Sequence, residues 1–403
     1  MTQAAGVFKQ VAYKAEVSYG TVPAAGSAQA LRRVTSDLSL TKQTYQSNEI
    51  RPDQQVADYR HGVRSVEGSI NGELSAKTYA DFIAAALRRD FAAVTPIAGA
   101  SITIAGAGPT WTVTRAAGSF LTDGVKAGDV VRLSVGSFNA ANLAKNLFVV
   151  SLTATVLTVR TLNGSALVAE GPIATSTVTV FGKKTYAPTS GHTNKSFSIE
   201  HWFSDIAQSE VFSGCQPTKV DLQLPPTGLA TINIGMVGQN ITAAAAQYFT
   251  SPTAVTTTGV TAAVNGLIVI GGVVIAAITG MSLSIDSARS GDPVVGSNTI
   301  PTRFAGRITA SGQVTAYFED ATLRDAFLNE TEASIMLVLT ADNTAASSFV
   351  GLTLPRVKLG GSSKSDGVDG VVQTIPFMAL LKTTGGAGTD SEATTVSVQD
   401  SDA

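Results

Sequence analysis

The sequence predicts a mainly β protein of two similar halves, with a small all-β domain inserted in the first. Three observations lead there. Gly, Ala, Thr, Ser and Val dominate the 403 residues, with only 14 % charged and 6 % aromatic side chains, as suits short strands joined by many turns. One order of elements occurs twice. It runs Leu38-Ser39-Leu40, Ser47-Asn48-Glu49-Ile50, Gly68-Ser69-Ile70 and Thr78-Tyr79-Ala80-Asp81-Phe82, then Leu283-Ser284-Ile285, Ser297-Asn298-Thr299-Ile300, Gly306-Arg307-Ile308 and Thr322-Leu323-Arg324-Asp325. A repeat this long is a duplicated domain rather than a solenoid unit. Third, a run of short strands follows the first helix and is absent from the second copy.

Residues 1 to about 30 read as an extended arm with a turn. Residues 31–75 alternate as strands do, interrupted by a polar loop at 44–61 that holds Glu49, Arg51, Asp53, Asp58, Arg60 and His61. A long loop carrying both signs of charge is solvated or makes contacts in an assembly. Ser75 is expected to cap a helix with Tyr79, Phe82, Ile83, Ala86 and Leu87 on one face and Arg88-Arg89 in its last turn. Such an apolar stripe packs on a sheet. In the second copy Asp320 or Glu319 takes the cap, with Leu323, Phe327 and Leu328 inward.

Five or six short strands between about 97 and 187, separated by Gly, Asn and Asp turns, predict a small barrel or sandwich. The first copy resumes at 196–203, 218–224 and 229–235, and the second ends with 335–339, 352–359 and 371–380. Leu267-Ile268-Val269-Ile270 and Val273-Val274-Ile275 flank Gly271-Gly272 as a hairpin does, and the stretch is too short for a membrane span. Residues 384–403 show no apolar period and read as a mobile, mildly acidic tail. The domains are therefore 1–97 (first fold, with arm and helix), 98–186 (insert), 187–262 (first fold continued), 263–383 (second fold) and 384–403 (tail).

Little points to chemistry. A net charge of −2 gives no basic stripe for nucleic acid. The single cysteine, Cys215, permits no intrachain disulfide and reads as a small buried hydrophobe. His61, His192 and His201 are far apart, without partners at ligand spacing. Gly106-Ala107-Gly108 leads into a strand, not the helix that a dinucleotide site needs. Asp366-Gly367-Val368-Asp369-Gly370 lacks the distal Glu of a calcium loop and reads as a turn. The expectation is a protein with no catalytic residue, cofactor or metal. Met1 to Tyr19 lacks the apolar core of a signal peptide, so synthesis in the cytosol and no membrane partner are expected.

Several segments taken in order resemble the major tail tube proteins of long, non-contractile-tailed bacteriophages. They are Lys14-Ala15-Glu16-Val17-Ser18-Tyr19-Gly20-Thr21-Val22-Pro23, the block Arg64-Ser65-Val66-Glu67-Gly68-Ser69-Ile70-Asn71-Gly72-Glu73-Leu74 before the helix, and the closing Leu354-Pro355-Arg356-Val357-Lys358-Leu359 with Gly370-Val371-Val372-Gln373-Thr374-Ile375-Pro376-Phe377-Met378-Ala379. The insert, around Phe120-Leu121-Thr122-Asp123-Gly124, looks like an accessory domain of phage tail proteins. The resemblance implies two tandem tail-tube-like β-sandwich or barrel folds, each with a flanking α-helix. It implies rings stacked into a virion tail, assembled in the host cytoplasm, through which DNA passes without specific binding. Six tube folds per ring would need three of these chains, with a hexamer of chains as the alternative. Tape-measure, tail terminator and tail-tip proteins would be partners. Asn48, Glu49, Arg51, Asp53, Asp58 and Arg60, with Arg289, Asp292 and Arg303 on the counterpart loop, are expected to make inter-ring or inter-subunit contacts. The insert is expected to decorate the outside. The competing readings are a tail terminator or baseplate ring protein and a bacterial surface β-protein.

Overall fold

The computed structural model describes residues 3–164, 166–275, 278–318, 325, 327–365 and 370–403. The first half contributes β1 (Lys9–Ala15), β2 (Ser39–Gln46), β3 (Tyr59–Glu73), helix α1 (Ala80–Leu87), then, beyond the insert, β4 (Lys183–Tyr186), β5 (Phe197–Phe203), β6 (Gln208–Leu224) and β7 (Thr231–Gly238). The second contributes β8 (Gly266–Ile270), β9 (Ile278–Asp286), β10 (Thr309–Tyr317), β11 (Ala333–Thr340), β12 (Phe349–Leu359), β13 (Ser363–Lys364), β14 (Val372–Ala379) and β15 (Ser397–Asp400). Side by side, the first set is bonded β1-β5-β6-β7-β3-β2. The second is bonded β8-β11-β12-β14-β10-β9, the same order of equivalent strands, all antiparallel. The sets join where the far half of β6 pairs with β9, from Lys219 opposite Asp286 to Leu224 opposite Met281.

Register decides which side chains enter the core, because neighbours directly opposite share a face. The row Ile70, Ile234, Val220, Ile285, Ala310 and Ala379 crosses six strands and both halves, and every member is buried. The pairing also corrects the expected alignment of the two strand sets. Gly68 lies opposite Met236, and the residue in its place in the second half is Gly312, opposite Phe377 and Leu283. Gly306, expected there, lies ahead of β10. Both glycines are demanded by close approach: a Cβ would stand 2.7 Å from the Leu38 Cα at Gly68 and 2.0 Å from the Ser282 carbonyl oxygen at Gly312.

Helix α1 buries Phe82 against Tyr13 and Phe197, with ring centroids 4.7 and 5.1 Å away. Ser75 is not its cap; its Oγ lies 2.7 Å from Thr78 Oγ1, and the helix starts only at Ala80. Arg88 ends it in a left-handed conformation (φ 60°). In the second half Glu319, Asp320 and Leu323 lie outside the described residues, as do residues 366–369 of the proposed turn. Phe327 and Leu328 are exposed rather than inward. The glycine hairpin forms as expected: Ile270 pairs with Val273 around Gly271 and Gly272, both at positive φ, as a two-residue primed turn requires.

The insert is a closed six-stranded barrel of Ile97–Ala107, Thr110–Arg115, Val130–Ser134, Leu147–Leu152, Val156–Thr161 and Glu170–Val180. Though it follows α1 in the chain, it packs on the second half. Its Val130, Phe148 and Leu162 share one buried cluster with Val269, Met336, Val338 and Phe349. Asn146 donates to the Ser347 carbonyl at 2.8 Å, and Asn163 to that of Thr344 at 2.7 Å.

The C-terminus departs from expectation. Residues 397–400 are no mobile tail: β15 is bonded between β4 and β12, with Val396 and Val398 buried. Two valines two residues apart supply one apolar face, too short a signal to stand out among Ser and Thr. The Gln399 amide bonds the backbone of Val130 and Phe181, tying strand to barrel. At the other end β1 pairs with β5, and the Glu16 carboxylate accepts from Ser196, Ser198, Gly20 and Gly214 at 2.6–2.8 Å. The arm is held by its own chain.

Candidate assembly surface

Opposite the buried rows, the joined sheet presents polar ones. Asn71, Asn233, Asp221, Ser284, Ser311 and Met378 form one row across six strands. Glu73, Thr231, Gln223, Ser282, Gln313 and Pro376 form the next, and Ser69, Gly235, Lys219, Asp286 and Thr309 the third. Their ionisable members are Glu73, Asp221, Asp286 and Lys219, and Lys219 is paired with Asp221 at 3.1 Å. The face is therefore hydroxyl- and amide-rich and net acidic.

Two strand edges bound this sheet, and the nine loop residues distribute unequally around them. Residues 48–61, beyond β2, are all exposed. Asn48 and Glu49 project there; Arg51 pairs with Asp53 at 3.0 Å and Arg60 with Asp58 at 2.9 Å, which holds both carboxyls below their ordinary range. The counterpart loop, 287–303, instead lies on the first half of its own chain. Ser287 N–H and Oγ donate to the Thr218 and Pro217 carbonyls at 2.8 and 2.7 Å, and Arg88 donates to the Ser287 carbonyl. Arg64 N–H donates to the Asn298 carbonyl at 2.9 Å, and Gln239 to that of Ile300 at 3.0 Å. Arg303 is buried, donating to the Gly238 carbonyl at 3.0 Å. Arg289 reaches Asn194 and the Ala85 carbonyl, and burial beside Arg88 pushes it down to about 10. Asp292 alone of these three is exposed. The second loop thus makes intrachain hydrogen bonds that its sequence did not signal, while its residues 292–296 stay exposed.

The buried ionic groups serve packing. Lys184 meets Asp129 at 2.8 Å and Glu392 at 3.2 Å, joining barrel, β4 and C-terminal segment. Burial opposes its charge, but the two carboxylates outweigh it and hold its pKa above the ordinary value. Sequence reading missed this cluster because its two ion pairs join residues 55 and 208 positions apart. His201 lies buried against Ser36 Oγ at 2.8 Å; burial, with Lys9 and Arg33, pushes it down to about 3. Cys215 is buried, which raises its thiol pKa. Among the described residues no group of three or more His, Cys, Asp and Glu side chains could hold a metal ion, and no helix is long and apolar enough to cross a membrane.

A sheet that runs unbroken through two like-ordered halves, with a strand edge at each end that no described strand covers, suits a structural, self-associating β protein. Comparison with known families agrees: residues 9–379 match the model described as phage tail tube protein, and the chain belongs to that family. It is thus a structural tail tube subunit, a component of the virion tail that assembles with itself. No curated protein matches it.

Proposed function

We propose that the chain is a duplicated tube subunit of a siphophage tail, three copies forming a ring with six tube folds. Rings stack, and the polar sheet face lines the lumen through which DNA leaves the capsid. The observation that carries this is the identical bonding order of the two strand sets, joined edge to edge by β6 and β9. Closing such a sheet between copies removes its open edges. The net acidic face suits a conduit, since cationic contacts to phosphate at every ring would retard passage. The exposed loop with Asn48, Glu49, Arg51, Asp53, Asp58 and Arg60 makes contacts between subunits. Assembly takes place in the host cytoplasm, with tape-measure, terminator and tail-tip proteins as partners.

Electron microscopy of the concentrated chain, alone and with tail-tip complex, tests this. Hollow tubes with three chains per ring are expected. Six chains per ring would refute the duplicated arrangement, and single rings that never stack would favour a terminator or baseplate role.

A further inference from the structure

The chain contains one complete fold-to-fold junction, between its own halves, and one incomplete one. In the complete junction β9 adds to the outer edge of β6, and the loop after β9 reaches across onto the first half. There Ser297-Asn298-Thr299-Ile300 is anchored through its backbone, and Ile300 is buried. The related Ser47-Asn48-Glu49-Ile50 follows β2, the equivalent of β9, and has nothing to lie on. Ile50 is fully exposed at 102 %. The matching receptor edge is open too. The positions equivalent to 219–223 of β6 are 361–365, bonded to β14 on one side only among the described residues. Exposed Phe327 lies beside that edge at Gly361.

We infer that the incomplete junction is completed by a second copy of this chain, with β2 pairing to 361–365 of its neighbour and the segment holding Ile50 anchored on the neighbour's second half, burying Ile50, as the segment holding buried Ile300 is anchored on the first. This rests on the tube reading above and sharpens it, because it makes the 47–58 loop a lateral clasp within a ring rather than a bridge between stacked rings. Superposing the strand equivalences sets the register: the pairing of Asp221 with Ser284 carries over to Ser363 with Ser39. The apolar side of the new junction is thinner, since Val220 and Leu222 are replaced by Ser362 and Lys364. The clasp then carries much of the affinity.

Two variants test this. Ile50→Asp alters a side chain with no contact to lose in the monomer, so its melting should match that of the native chain. Burying an isoleucine is worth about 1.5–3 kcal/mol, so ring formation should need about a tenfold or higher concentration, read by sedimentation and electron microscopy. Rings that form normally but fail to stack would overturn the lateral clasp and leave the tube reading intact. Unchanged tubes would overturn it as well. The Ser39→Cys/Ser363→Cys pair should cross-link rings into covalent oligomers on mild oxidation while either single variant does not; the native Cys215 is buried. Rings of this pair that do not cross-link would refute the register. If the native chain makes neither rings nor tubes, even with tail-tip complex, both readings fall together.

Discussion

The two halves of this molecule share a strand order but not a manner of finishing. In the first, the helix is covered by aromatic rings, the N-terminal strand closes the sheet edge, and the loop after β2 is bare. In the second, the counterpart loop is docked, and the outer face of β11 and β12 is covered by a barrel inserted in the other half. The difference teaches that each half is completed by something outside itself. The insert and β15 complete the second half from within the chain, and the first half's loop stays exposed.

The strongest way to break that comparison is to remove what the second half borrows. Replacing residues 97–181 by a short Gly-Ser turn would bare Val269, Met336, Val338 and Phe349. At about 1.5–3 kcal/mol for each buried apolar side chain, the expected loss exceeds roughly 5 kcal/mol, seen as aggregated product. A soluble variant that melts like the native chain would show that the barrel is decoration, as the sequence suggested.

A smaller effect sharpens the equivalence. Gly68→Ala and Gly312→Ala place a methyl against backbone at matching points of the two sets. Each should cost about 1–3 kcal/mol, read by denaturant unfolding. Normal stability at Gly312 would mean the register assigned to the second set is wrong.

The smallest concerns the seam. Asp400, on β15, accepts from Lys77 N–H of the first half at 2.8 Å, and burial pushes its carboxyl up to about 6. An unfolded Asp titrates near 3.9, so the folded chain binds the proton more tightly. That contribution is fully present below the unfolded value and is lost as pH rises through about 6. The native chain should therefore gain stability, relative to Asp400→Asn, as pH falls from 7 to 4. The gain is roughly 2 kcal/mol at most, and parallel pH profiles of the two melting curves would rule it out.

Much of this was legible in advance. Leu38-Ser39-Leu40 and Leu283-Ser284-Ile285 do occupy equivalent strands, because alternation at period two is a local property. The Gly271-Gly272 turn and the inserted barrel were visible for the same reason: turn chemistry and short strands are written in neighbouring residues. The match of Gly68 to Gly306 failed because register depends on the strand opposite, not on the strand read.

By itself the sequence determined the mainly β class, the order of the strands, the separate barrel and the family resemblance. Only the tertiary structure decided that the C-terminal residues form a buried strand, that the barrel braces the half it does not interrupt, and that one of two similar loops is docked while the other is bare. Each of these depends on which distant surface lies opposite a segment. Burial is a property of that pair of surfaces, and no run of residues carries it alone.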